Sequence, residues 1–112
     1  MTKRAAEYPI ALAQMACDIS LVRALSSKDS SALAQQIFDA ALREAAAIFA
    51  ECSAEIRNAF THDELVVPIS RIACAIALGH KYGPEKATLF AGRLIRSAIT
   101  DSMAFDNAAD AL

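Results

Sequence analysis

Alanine makes up nearly a quarter of this chain, and almost every copy falls inside a run with helical apolar spacing. Alanine is the strongest helix former because it loses no rotamer freedom and buries no polar group. Runs such as Ala45-Ala46-Ala47 and Ala73-Cys74-Ala75-Ile76-Ala77 therefore predict helices. Side chains this short also let neighbouring backbones approach closely, which requires a partner surface in the same chain or on a second copy. The chain is read as all-α, a compact bundle of about four main helices.

At 112 residues the chain is one domain, read over 1–112 with a short disordered N-terminus and a frayed C-terminal tail. A chain of this size buries roughly two-thirds of the surface its unfolded form exposes. Hydrophobic residues reach 55% and the mean hydropathy is +0.31, which leaves more apolar side chains than so small a core can absorb. That surplus points first to a homo-oligomer interface and second to a binding groove.

A net charge of −2 speaks against a simple nucleic-acid coat or a membrane-surface peptide. The average conceals segregation, however. From Asp29 to Glu64 the chain is mostly acidic, from Arg71 to Arg96 it is basic except for Glu85, and Asp101, Asp106 and Asp110 return it to acid. Cys17, Cys52 and Cys74 are odd in number and embedded in apolar helical runs, the profile of reduced, buried thiols in a cytoplasmic protein. A lipoprotein signal ending at Cys17 is the weaker reading, because Glu7 and Pro9 interrupt its apolar stretch. No segment approaches the ~20 apolar residues of a membrane span.

Helix one is expected to have Pro9 in its first turn and to run to about Leu25, with Leu12, Met15, Ile19 and Val22 inward. Ser26 to Ser31 reads as a loop, with Asp29 or Ser30 capping the next helix. Helix two is the longest, from about Ser31 to Phe60, with Leu33, Ile37, Ala41, Ala45, Ile48, Cys52, Ile56 and Ala59 on one face. Thr61 and Glu64 have capping-box spacing. Helix three is either kinked at Pro68 or begins there, and from Ile72 to Leu78 it is apolar all round, as a central helix is. Gly83-Pro84 is a stop–start signal. Helix four follows to about Phe105, with Ala87, Phe90, Ala91, Leu94, Ile95 and Ala98 inward. Gly92 costs about 1 kcal/mol against alanine, which a close helix crossing would justify.

Catalytic signatures are sparse. His62 reads as a solvated histidine beside capping acids, and His80 as a capping or core-edge histidine near a helix C-terminus. Neither shows the close Cys/His spacing of a zinc site. Glu44, Glu51 and Glu55 share the polar face of helix two but lack the Glu-x-x-His pairs of carboxylate-bridged metal bundles. There is no glycine-flanked serine, no P-loop and no dinucleotide glycine pattern. The sequence thus implies no cofactor and no enzyme activity.

The function expected is that of a small regulator, adaptor or inhibitor acting through protein–protein contacts, as a homodimer and with a further protein partner. The candidate contact residues are the basic set Arg71, Lys81, Lys86, Arg93 and Arg96 and the acidic set Glu44, Glu51 and Glu55. A DNA-binding regulator is the alternative, with the last two helices as a helix-turn-helix whose basic residues meet phosphates. A bundle enclosing a small apolar ligand or a metal is the second alternative.

Overall fold

A computed structural model describes the backbone of residues 3–111 and the side chains of residues 7–102. Five helices follow in order: α1 (Lys3–Arg23), α2 (Ser27–Glu51), α3 (Ala54–Ala59), α4 (Asp63–His80) and α5 (Pro84–Ala111). No strand occurs among the described residues, and the four long helices form the expected all-α bundle. At 25 residues, α2 is the longest helix whose side chains are described throughout.

Several helix boundaries differ from the sequence reading, each for a local reason. Pro9 lies inside α1 and not in its first turn. Ser26, not Asp29 or Ser30, caps α2: its hydroxyl accepts from the Asp29 amide at 3.1 Å. The polar stretch that follows is therefore helix, with Asp29 in the first turn where the helix dipole favours an acid. The expected single helix from Ser31 to Phe60 breaks at Cys52-Ser53, where the Ser53 hydroxyl accepts from Ile56 N and starts α3. Helix three begins at Asp63 and passes through Pro68. The backbone of α5 continues to Ala111, beyond Phe105, through alanine-rich sequence that contains no breaker. Of the N-terminus expected to be disordered before Pro9, residues from Lys3 on are helix in α1, and Met1 and Thr2 lie outside the described residues.

Two turns use left-handed backbone without glycine. Ala24 (φ 54°) ends α1 and Lys81 (φ 57°) ends α4, while Gly83 has no positive φ. A left-handed conformation costs a residue with a Cβ roughly 1–2 kcal/mol, so tertiary packing sets both turns. Arg23 supplies part of that packing, because its guanidinium donates to the Ala77 carbonyl at 2.7 Å and covers the open end of α4.

Directions follow from these ties. Tyr8 reaches the Asp63 carbonyl and Arg23 reaches Ala77, so α1 and α4 run parallel. Phe49, late in α2, meets Phe60 and His62 at the start of α4, so α2 and α4 are antiparallel. The α2–α4 pair is the centre of the body, with α1 on one side and α5 on the other. One core joins all four long helices: Met15, Ile19, Ile37, Ile48, Val66 and Ile69 supply its volume, and Ala41, Ala45, Ala73, Ala87 and Ala91 its close approaches.

Two inward faces are rotated from those expected. In α1 the buried side chains Ala11, Met15 and Ile19 step by four, so the stripe continues to Arg23 and leaves Val22 61% exposed. In α5 the buried residues are Ala87, Thr88, Ala91 and Gly92, and Leu94 is 56% exposed. Cys74 is buried as expected, and burial together with nearby Asp18 pushes its thiol pKa up. Cys52 is half-buried and Cys17 is exposed, and all three thiols are free.

Candidate interaction face

The residues singled out for charge fall into two groups with different fates. Arg96, half-buried on α5, lies between two acids of α2. One guanidinium nitrogen meets Glu44 at 2.7 Å, and Nε and Nη2 meet the Glu51 carboxylate at 2.6 and 3.1 Å. Glu44 can lie this close because Gly92 faces it: a Cβ there would stand 2.7 Å from the Glu44 carboxylate oxygen. Gly92 thus does permit the close crossing that its place in a helix suggested. Arg43 pairs with Glu85 in the first turn of α5. Rising numbers on α2 meet rising numbers on α5, so these two helices are parallel.

Much of the acidic and basic inventory is therefore matched inside the chain. Glu44 and Glu51 belong to the α2–α5 crossing, while Glu55 sits alone on α3 because the helix breaks before it. The three acids do not share one helix face. Glu44 is also far from solvated, with its side chain only 12% exposed.

The hydrogen bond from Arg96 holds the Glu51 carboxyl below its ordinary pKa, and the same bond raises that of Arg96. A depressed carboxylate contributes stability above its ordinary pKa and loses it as pH falls through the lower value. Replacing Arg96 by leucine is expected to cost about 1–2 kcal/mol at neutral pH, because Glu44 stays mostly buried without its cation. Urea titrations of both proteins check this at neutral pH, and the difference between them should shrink as pH falls through the lowered value at which Arg96 holds the Glu51 carboxyl.

The remaining basic residues lie elsewhere. Lys81, Lys86 and Arg93 are exposed around the α4–α5 turn and Arg71 on the outer side of α4. His80, Tyr82 and Phe90 form a run of stacked rings, with centroids 5.4 and 5.6 Å apart. Lys86 Nζ sits 4.2 Å from the Tyr82 centroid, and the Arg93 guanidinium 5.4 Å from that of Phe90. Each such contact is worth about 0.5–1 kcal/mol at an exposed site. His62 takes the N-cap position of α4 without a side-chain capping bond, pairs with Asp63 at 3.2 Å and packs against Phe49.

The outer face of α4 carries few polar side chains. Pro68, Arg71, Ala75 and Gly79 form its exposed stripe, bordered by half-buried Ile72, Ile76 and Leu78. A cleft of about 370 Å³ flanks it on the α1 side, where Leu21 and Val22 stand beside Asp18 and Arg71. Two clefts lie on the α5 side. One of about 450 Å³ is lined by Ile76, Phe90, Arg93 and Leu94. The other, about 400 Å³, is lined by Phe60, Leu65, Pro68, Ile95, Ala98 and Ile99 with Glu55 at its rim. The apolar run from Ile72 to Leu78 predicts a central helix, and α4 is central only in part. It packs on α1, α2 and α5 but keeps one apolar side open.

Among the described residues, no three His, Cys, Asp or Glu side chains converge as a metal site would require. No helix among them is long and apolar enough to cross a membrane. No protein-family model, no curated protein and no solved structure matches this chain.

Proposed function

We propose that this protein works without catalysis, as a homodimer whose α4 side makes its protein–protein contacts. The observation that carries this reading is α4 itself, which packs on α1, α2 and α5 yet leaves Pro68, Ala75 and Gly79 open beside half-buried Ile72, Ile76 and Leu78. Exposed apolar side chains on both flanks, Leu21 and Val22 from α1 and Leu94 from α5, widen the same surface. Contiguous apolar area of this kind on a small domain marks an interaction site. The packing of α4 against α5 weighs against the helix-turn-helix alternative. The two helices lie antiparallel along their length, with Leu65 near Ile99 and Ile76 near Phe90 and Leu94. A helix-turn-helix crosses at a steep angle instead. Arg96, one of the cations meant for phosphate, is held by Glu44 and Glu51.

Sedimentation equilibrium over a wide concentration range tests the proposal. Twice the chain mass of 11.9 kDa is expected, and the mass of one chain at every concentration would overturn it. A gel shift on duplex DNA that vanishes steeply with salt would instead favour nucleic-acid binding.

A further inference from the structure

The seam between α4 and α5 carries opposite charge at its two ends. At the turn end stand Lys86 and Arg93, and at the other end Glu55 and Asp101, all four exposed. None of the four is in an ion pair among the described residues, whereas Glu85 and Arg96 on the same helix are both paired within the chain. Lys86 and Arg93 precede Asp101 on α5 by 15 and 8 residues, hence by about 22 and 12 Å along the axis. Leu94 and Ala98 lie between them, over the two apolar clefts of about 450 and 400 Å³.

A two-fold interface pairs a surface with its own reversed copy. A strip that is basic at one end, apolar in the middle and acidic at the other is complementary to itself when turned end for end. We propose that a second copy of this chain docks antiparallel on the α4/α5 seam, with the two-fold axis at the level of Ile95, midway between the Lys86–Asp101 and Arg93–Asp101 midpoints. Lys86 and Arg93 of each protomer then face the partner's Glu55 and Asp101, and Leu94 and Ala98 close over the partner's clefts. The inference rests on the self-association proposed above and names the surface responsible for it. Two helices side by side over the length of α4 offer on the order of 500 Å² in projection, and more as accessible area. That approaches the roughly 800 Å² per subunit of a stable complex.

Charge exchange tests the arrangement. One variant carries Lys86→Glu and Arg93→Glu, the other Glu55→Lys and Asp101→Lys, and dimer dissociation constants come from sedimentation velocity at low salt. Each variant alone places like charges at both ends of the interface and is expected to weaken the homodimer about tenfold or more. Mixed together, the two variants restore opposite charges at both ends, so a heterodimer should form within about threefold of the wild-type constant. Such rescue cannot come from a misfolded variant. Unchanged homodimers in both variants would overturn the seam while leaving self-association intact. Weakened homodimers without rescue would overturn the antiparallel pairing. A wild-type chain that stays monomeric throughout would overturn both proposals.

Discussion

Shortening Ile69 to alanine is expected to lower the unfolding free energy by about 3–5 kcal/mol, the upper part of the range for large-to-small core changes. Ile69 is 0% exposed and belongs to the core that joins all four long helices. The cost of such a change depends on how far the neighbours can relax into the space. Much of that core is alanine, including Ala41, Ala45, Ala73, Ala87 and Ala91, and alanine has no side-chain torsion with which to refill a cavity. Only movement of whole helices can close the gap, and the other close approaches resist it. Against a total of about 5–15 kcal/mol for a domain, the loss is a large fraction. Chemical denaturation measures it directly, with Leu21→Ala as the control: at 83% exposed, that position should change stability by about 0.5 kcal/mol or less. A loss below about 1 kcal/mol at Ile69 would mean that the core relaxes far more freely than its alanines allow.

The second large effect is at Gly92. Leucine there is expected to destabilise by about 2–3 kcal/mol, since its side chain must part α2 from α5. Alanine gives a more discriminating result. It gains about 1 kcal/mol of helix propensity, but its Cβ meets the Glu44 side chain, whose Oε1, Cδ and Cγ lie at 2.7, 2.9 and 2.9 Å. Moving Glu44 pulls its carboxylate from Arg96, so Gly92→Ala should be neutral or harmful in the wild type. In a Glu44→Ala background the obstruction is gone, and the same change should stabilise by about 1 kcal/mol. A double-mutant cycle in urea reads this reversal of sign. Equal effects in the two backgrounds would show that Glu44 is not what requires glycine.

The helical class and the start of α5 at Pro84 are legible in the sequence, because each depends on residues close together in the chain; Gly92 signals a close crossing, but its partner Glu44 does not show in the sequence. What is not legible arises from packing. The left-handed turns at Ala24 and Lys81 carry no glycine to announce them. The break at Ser53 is hidden because Ile56 and Ala59 keep the apolar period of α2 going on paper. Residues 44 and 96 meet only because α2 and α5 are parallel, and no periodicity within either helix encodes that register. The same pairing divides the predicted contact residues. It draws Glu44, Glu51 and Arg96 into the bundle and leaves Lys86, Arg93 and Glu55 at the edge of the seam.

The flanking helices α1 and α5 each rest on the α2–α4 pair and share no extensive packing with one another. Two flanks that depend on a common pair but not on each other can detach separately, each with its own opening free energy. Local fluctuation on the α1 side, around Cys17 and Leu21, would then leave the α5 side undisturbed. This small body can loosen at one edge while it keeps its grip at the other.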